Sequence, residues 1–189
     1  MNFESQPLQP HEIQVMKSDP VIIERVVQSY RLMLDFYGMR LVSAELGLVD
    51  RVPPPRNFET RYRNLVRKCK LPSIHPSGLF FSFSRKGSSH NYLRISRILK
   101  CLSELGLEHL NTGFLLHVLN EQSEWNELNS RGIRSSMDRW WANCIRNDEE
   151  RQWIGETIRK VRLHSDEFIF TRDEYKKYLE SRRTGRKVD

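Results

Sequence analysis

The sequence predicts an all-α fold: a single compact domain of several helices, with a basic central segment and an irregular insertion around residues 70–87. Two segments combine helical periodicity with strong start and stop signals, whereas Pro72 and Pro76 break any helix in the insertion. A chain of 189 residues is large enough for one domain with its own core. We expect this domain to span residues 1–180 and a basic, disordered tail to follow at 181–189.

The clearer helix follows Ser88 and Ser89, which are good N-cap residues, and stops at Gly106, which adopts the left-handed conformation without penalty. Between these signals, apolar residues recur at helical spacing and predict one face packed on a core. They are Tyr92, Ile95, Ile98, Leu99, Leu102 and Leu105. The opposite face is polar and includes Arg97 and Lys100.

The other clear helix has Asp19 as its N-cap, Pro20 at its first position and Gly38 as its stop. Apolar residues cover most of its circumference, which is typical of a central helix covered on two sides. A narrow polar wedge is formed by Glu24, Gln28, Arg31 and Asp35. A second apolar strip is formed by Val21, Leu32 and Phe36.

The C-terminal half predicts further helices. Thr112 is a candidate N-cap for one of them, and Asp148 is a candidate N-cap for another at 149–161. Residues 133–145 form a third, and a capping box at 171–174 precedes a fourth. We expect residues 168–170 to be a short extended piece that packs on the body.

The insertion and the cysteines limit the class of protein. The insertion, with its three phenylalanines, is interpreted either as a binding loop with exposed aromatic residues or as a tolerated surface insertion. No apolar run is long enough to span a bilayer, and no secretory signal begins the sequence. Three widely spaced cysteines, Cys69, Cys101 and Cys144, favour a reducing compartment over a disulfide framework.

The positive charge is concentrated in the middle of the chain. Residues 56–100 contain eleven Lys and Arg against Glu59 alone, a charge of +10 within a total of +7, which leaves −3 for the remainder. Such a segment attracts nucleic acid, phosphorylated or acidic protein, or an anionic lipid surface, although a solvated helical face gives the same pattern. The candidate contacts are Arg61, Arg63, Arg67, Lys68, Arg97 and Lys100.

Catalytic and metal-binding motifs are absent from the sequence. It has no phosphate-binding glycine loop and no G-x-S-x-G turn. Its six histidines form no H-E-x-x-H pair, and its cysteines form no C-x-x-C pair. We therefore expect a protein that is not an enzyme and that needs no metal or cofactor.

Three motifs carry a resemblance to a known family. Residues 29–38 (SYRLMLDFYG), 90–100 (HNYLRISRILK) and 103–108 (SELGLE) are similar to the conserved N-terminal domain of the opioid growth factor receptor family. The resemblance extends with decreasing strength from Met1 to about residues 168–170. The family's domain begins earlier, with a Trp- and Tyr-rich segment, so we expect this copy to be N-terminally incomplete. The family also joins its two signature helices more directly, which marks residues 70–87 as an insertion.

The resemblance implies a function in growth regulation. It suggests a soluble, non-enzymatic receptor for the pentapeptide Met-enkephalin, located in the nuclear or perinuclear region and associated with membranes without spanning them. The basic run at residues 182–187 is a weak candidate for recognition by a nuclear-import partner. The alternative is an intracellular helical scaffold whose basic face binds nucleic acid or an acidic protein.

A site for such a peptide needs an acid for the ammonium, a cation for the carboxylate and an apolar groove. The candidate ligand-binding residues are Asp35, Tyr37, His90, Asn91, Arg94 and Glu104. Most have a structural alternative. Arg31 is placed to pair with Asp35 on the same helical wedge. Arg94 could instead join the two signature helices through a salt bridge to Asp35 or Glu104.

Overall fold

The computed structural model describes residues 6–66, 90–163 and 167–184, and over these ranges it contains eight α-helices and one β-hairpin. The hairpin consists of β1 (Met39–Ser43) and β2 (Leu48–Arg51). The helices are α1 (Pro10–Ser18), α2 (Pro20–Phe36), α3 (Phe58–Val66), α4 (His90–Glu104), α5 (Glu108–Ser123), α6 (Arg131–Ser136), α7 (Asp148–Leu163) and α8 (Arg172–Thr184). The predicted helical single-domain class is confirmed. The insertion, Ser88, Ser89 and Cys69 lie outside the described residues.

Helix α5 is the centre of the fold, because every residue from 110 to 122 is buried. It contacts α4, α7, α8 and β2. The prediction that α2 is the central helix was wrong: Val21, Leu32 and Phe36 on α2 are exposed. Thr112 is not an N-cap either, since α5 begins at Glu108 and buries Thr112 in its interior.

Several predicted helix ends are confirmed by their hydrogen bonds. The Asp19 carboxylate accepts from the backbone N–H of Val21 at 2.8 Å. Gly106 has a φ of +78°, and the N–H of Leu107 donates to the carbonyl of Leu102 at 2.8 Å, which is the Schellman arrangement. The capping box at 171–174 also forms. At the start of α7 the cap is Asn147 rather than Asp148, since its side chain accepts from the N–H of Glu150.

The β-hairpin was not predicted. Its strands pair antiparallel, with an irregularity in register between Leu41 and Ser43, and Met39, Leu41 and Val49 point into the core. The hairpin turn reaches α5 at a contact between two glycines: a Cβ atom on Gly113 would overlap the carbonyl oxygen of Gly47. Only residues without side chains allow the two backbones to come this close.

Two further predictions need correction. The helix expected at 133–145 is divided into α6, a π-helical turn (Met137–Trp141) and a 3₁₀ turn (Ala142–Cys144). This arrangement buries Trp141, whose Nε1 donates to the carbonyl of Tyr92 at 3.3 Å. The start of the disordered tail was predicted too early, at residue 181. Helix α8 continues to Thr184, and Arg182 Nε donates to the Glu150 carboxylate at 2.5 Å. The division into a domain and a tail otherwise stays a prediction.

Candidate functional site

The two signature helices are α2 and α4, which carry the family-like motifs at 29–38 and 90–100. They meet at one junction, formed by the C-terminal end of α2, by α3 and by the first turn of α4. The side-chain amide of Asn64 on α3 donates to the carbonyl of Phe36 at 2.7 Å. The amide of Asn91 on α4 donates in turn to the carbonyl of Asn64 at 2.6 Å. Arg94 completes this series of hydrogen bonds by donating to Oδ1 of Asn91 at 3.0 Å. Two asparagines therefore hold the three helix ends together.

Asp35 lies at this junction but is already engaged by two arginines. Its carboxylate contacts Arg56 Nη1 at 2.7 Å and Arg61 Nη1 at 2.5 Å. The hydrogen bond from Arg61 is the main reason why the pKa of Asp35 is lowered, and the charge of Arg56 adds to the effect. The predicted pairs of Asp35 with Arg31 and with Arg94 were both wrong. Arg31 instead donates to the carbonyl of Leu41.

Tyr37 and Arg94 face each other at the junction. Tyr37 is buried, and burial raises the pKa of its phenol, while the charge of Arg94 opposes that rise. Within the described part of the chain, no group meets full hydrogen-bond geometry with the Tyr37 hydroxyl, although Arg94 lies close enough to lower its pKa. Arg94 itself is exposed. The residue next to Tyr37, Phe36, presents an exposed ring to solvent.

Of the other two candidate residues, Glu104 lies away from this group, and the side chain of His90 is not described. Glu104 lies thirteen residues beyond Asn91 on α4, about 20 Å away along the helix. It pairs with Arg146, so the predicted salt bridge from Arg94 to Glu104 was also wrong. His90 is the first residue of α4, but its side chain lies outside what the structure describes. The junction thus brings together Asp35, Tyr37, Asn91 and Arg94 from the predicted set.

A groove of about 260 Å³ adjoins the junction on the side of the hairpin. The loop after β2 forms its wall, and the N–H of Val52 in that loop donates to the carbonyl of Gly38 at 3.0 Å. The lining residues are Arg40, Val52, Pro53, Pro54, Pro55 and Arg56. The groove therefore combines an apolar wall with two arginine residues. A second, apolar cavity of only about 10 Å³ lies between α2, α4 and α5.

The predicted basic residues do not form one free surface. Arg61 is half-buried and holds Asp35, and it also donates to the backbone carbonyl of Asp35 at 2.7 Å. Arg63 is exposed on α3, and Arg97 and Lys100 are exposed on α4. Arg67 and Lys68 lie outside the described residues. The clearest basic surface is therefore the row at Arg94, Arg97 and Lys100, which are spaced by three residues on one helix.

A buried polar network on the other side of α3 was missed by sequence reasoning. Arg51 on β2 donates from Nε to Glu121 Oε1 at 2.8 Å and from Nη2 to Oε2 at 2.7 Å. Its guanidinium also lies 4.4 Å from the ring centre of Phe58 and 4.9 Å from that of Trp125. The cluster joins residues 51 and 58 to residues 121 and 125, and Arg51 and Glu121 are 70 residues apart, so no local motif could have revealed it.

His117 lies at the buried end of this network. Its Nε2 is 3.3 Å from the hydroxyl of Tyr62 and 3.9 Å from Glu121 Oε1. Burial, followed by the charges of Arg172 and Arg51, lowers the pKa of His117 to about 3. Burial also raises the pKa of Glu121, against the effect of Arg51. The imidazole is therefore neutral at physiological pH, and the network joins β2, α3 and α5.

Metal clusters and membrane-spanning helices are absent from the described part of the chain. Among the described residues, no group of three or more His, Cys, Asp and Glu is arranged to hold a metal ion. The same residues include no helix that is both long and apolar enough to cross a bilayer. Cys101 and Cys144 are free thiols, the first exposed and the second buried.

The described features define a mostly helical domain in which the C-terminal end of α2, α3 and the first turn of α4 meet at one junction. Comparison with known families shows a match to the opioid growth factor receptor (OGFr) conserved region over residues 1–71 and 82–177. The chain therefore belongs to the opioid growth factor receptor family, and the resemblance noted in the sequence is confirmed. The unmatched residues 72–81 lie within the predicted insertion.

Curated relatives agree with this assignment. The human opioid growth factor receptor is 35% identical over 154 residues, which are 82% of this chain and 19% of the human protein. The mouse protein of the same name is 33% identical over 80% of this chain and 20% of its own length. Mouse opioid growth factor receptor-like protein 1 is 29% identical over 90% of this chain and 31% of its own length. The chain thus spans between about a fifth and a third of these relatives. No solved structure matches.

Proposed function

We propose that this chain is a non-enzymatic, peptide-binding regulator that recognises a Met-enkephalin-type peptide. The observation that carries the proposal is the family match over most of the chain, together with the receptor names of its relatives. The structure adds a surface of suitable chemistry, since Arg94 and the ring of Phe36 are exposed at the junction of the signature helices. A cation and an aromatic surface are two of the groups that such a peptide needs.

The structure changes the role that we assign to Asp35. Two guanidinium groups already neutralise its carboxylate, so this part of the surface attracts anions rather than an ammonium group. The junction is therefore better suited to the carboxyl end of the peptide than to its amino end. Nuclear or perinuclear location and membrane association are part of the same proposal. Imaging of the tagged chain in cells tests the first, and cell fractionation tests the second.

Isothermal titration calorimetry with unlabelled Met-enkephalin tests the proposal. A dye on either terminus would remove one of the two charges under study, so an unlabelled ligand is required. We expect a saturable isotherm with the purified chain, and none with a peptide of the same composition in scrambled order. If no saturable binding occurs at micromolar protein, the peptide-binding function is wrong for this chain.

We propose as a second candidate function that the basic row on α4 binds nucleic acid or an acidic protein. Arg94, Arg97 and Lys100 are all exposed at a spacing of three residues, and this observation supports it. Binding through phosphates should weaken steeply with salt. We expect Arg97→Gln with Lys100→Gln to reduce the slope of log affinity against log salt by about 2. The control is Lys176→Gln with Lys177→Gln, which removes the same charge from exposed positions on α8. Equal slopes for both variants would contradict this function.

A further inference from the structure

We infer that the groove between Arg40 and Arg56 receives the terminal carboxylate and the last side chain of a short peptide. The inference rests on the proposed peptide-binding function and assigns it a place. The groove walls are Val52 and the three prolines at 53–55. Its volume of about 260 Å³ is below the usual range of about 300–1,000 Å³ for ligand pockets, so it suits one end of a peptide rather than a whole pentapeptide.

The arginines around the groove outnumber the acids. On one side, Asp35 is shared between Arg56 and Arg61. On the other side, Asp50 is shared between Arg172 at 2.9 Å and Arg40 at 3.9 Å. Four guanidinium groups thus face two carboxylates, a surplus of two positive charges. This surplus selects an anion as the occupant.

The two arginines that line the groove are the outer partner in each shared pair. The side chains of Arg56 and Arg40 are 61% and 49% exposed, whereas those of Arg61 and Arg172 are 33% and 21% exposed. The inner arginines keep the acids neutralised when the outer ones turn toward a ligand. Arg40, at 3.9 Å from Asp50, is only loosely held. A guanidinium presents two parallel N–H donors, which match the two oxygens of a carboxylate.

The prolines explain why the anion would be a peptide end rather than a bare ion. Proline rings give a rigid apolar wall without N–H donors, so they add nothing to the binding of an inorganic anion. They can pack against an apolar side chain next to the carboxylate. The groove lies next to the chain segment that follows α2, because the N–H of Val52 donates to the carbonyl of Gly38. A peptide that ends in apolar residues would fill the wall and the guanidinium pair together.

The test compares Met-enkephalin with its C-terminal amide by calorimetry on the full chain. We expect amidation to weaken binding about tenfold, which corresponds to about 1.4 kcal/mol. Arg40→Gln and Arg56→Gln should each weaken the acid by about the same factor and leave the amide unchanged. Arg63→Gln removes the same charge from an exposed position outside the groove and should bind both peptides as the wild type does. If acid and amide bind equally, or if the groove variants behave like Arg63→Gln, the inference is overturned.

A second arm separates this inference from the proposed function. If the wild type binds neither form of Met-enkephalin, the proposed function fails, and the groove is tested with N-acetyl-Phe-Met and its amide by NMR. Shifts of the Val52 and Arg56 amide signals with the acid alone would support the carboxylate site, and their absence would overturn it. Inorganic phosphate that produces the same shifts at the same concentration would also overturn it, as the groove would then be a general anion site. Unchanged melting temperatures verify that the variants fold.

Discussion

Arg51 and Glu121 form a two-point ion pair between the last residue of β2 and the C-terminal part of α5. Both oxygens of Glu121 accept from the guanidinium, at 2.8 and 2.7 Å. The Glu121 side chain is only 3% exposed, while Arg51 keeps 25% exposure between two aromatic rings. The pair fixes the hairpin on the central helix, and its two members are 70 residues apart in the chain.

We expect Glu121→Leu to lower the free energy of unfolding by about 3 kcal/mol, because it leaves Arg51 partly buried without its carboxylate. Urea denaturation followed by circular dichroism measures the change. The matched control is the double variant Arg51→Met with Glu121→Leu, which removes both charges and should recover much of the loss. A double variant that is less stable than Glu121→Leu would contradict this account of the pair.

Gly113→Ala should destabilise the protein by about 2 kcal/mol, although alanine is the better helix former. The added methyl group would overlap the backbone of Gly47, so the hairpin turn would have to move away from α5. Gly155 on α7 is the matched control, since a Cβ atom there would have nothing within 4 Å. We expect Gly155→Ala to stabilise by about 0.5–1 kcal/mol, and thermal melts compare the two. Equal effects of the same sign would show that the close approach is not important.

His117 should make stability depend on pH. Its pKa is lowered from 6.5 to about 3 in the folded state, so the unfolded chain binds more protons between these values. The free energy of unfolding therefore has its full value above pH 6.5 and falls as the pH decreases through that window. The loss at pH 5 is about 2 kcal/mol, or about 1.4 kcal/mol for each pH unit below 6.5.

The pH effect of His117 is measured by urea denaturation at several pH values between 7 and 5. His117→Gln, which cannot take up a proton, should show a smaller slope over the same range. The difference between the two slopes isolates this residue from other groups that titrate nearby. Parallel slopes for both proteins would mean that the buried imidazole is not the cause.

Arg94→Ala should change the free energy of unfolding by less than about 0.5 kcal/mol, because the side chain is exposed and donates a hydrogen bond to Asn91 within the same helix. Thermal melts and urea denaturation measure this. Asn91→Ala is the comparison, since it removes the bond to Asn64 that joins α4 to α3. It should cost about 1 kcal/mol. A large loss for Arg94→Ala would restore a structural role for that residue in joining the signature helices.

Local signals in the sequence were reliable where the structure depends on neighbouring residues. The cap at Asp19, the stop at Gly106 and the capping box at 171–174 all involve groups within five residues of each other. The apolar face of α4 was also correct, since Ile95, Leu99, Leu102 and Leu105 are buried. These features need no knowledge of the rest of the fold.

Long-range choices of partner could not be predicted. Asp35 had Arg31 within reach on its own helix, yet it pairs with Arg56 in the loop before α3 and with Arg61 on α3. Helix α5 was underestimated for the same reason. Its polar residues imply an exposed face, but Asn111 donates to the carbonyl of Leu99 at 2.8 Å, and Glu121 is neutralised by Arg51. Only the folded chain provides these distant partners.

The sequence did contain a signal for the hairpin. Met39, Arg40 and Leu41 begin an alternation of apolar and polar residues, although Val42, which is exposed in the structure, interrupts it. Gly47, with a φ of +74°, marks the turn that follows. The strands are only five and four residues long, so the signal is short and is easily dismissed between two strongly helical segments. The candidate groove depends on this hairpin, which explains why it could not be found from sequence.

The burial of α5 on all sides has a consequence for amide hydrogen exchange. Residues 110–122 are covered by elements from both halves of the chain, so no partial opening of one neighbour exposes their backbone to solvent. Their amide protons should exchange with deuterium only when the whole domain unfolds. The slowest exchange rates in α5 would then report the global free energy of unfolding directly, in native buffer and without denaturant.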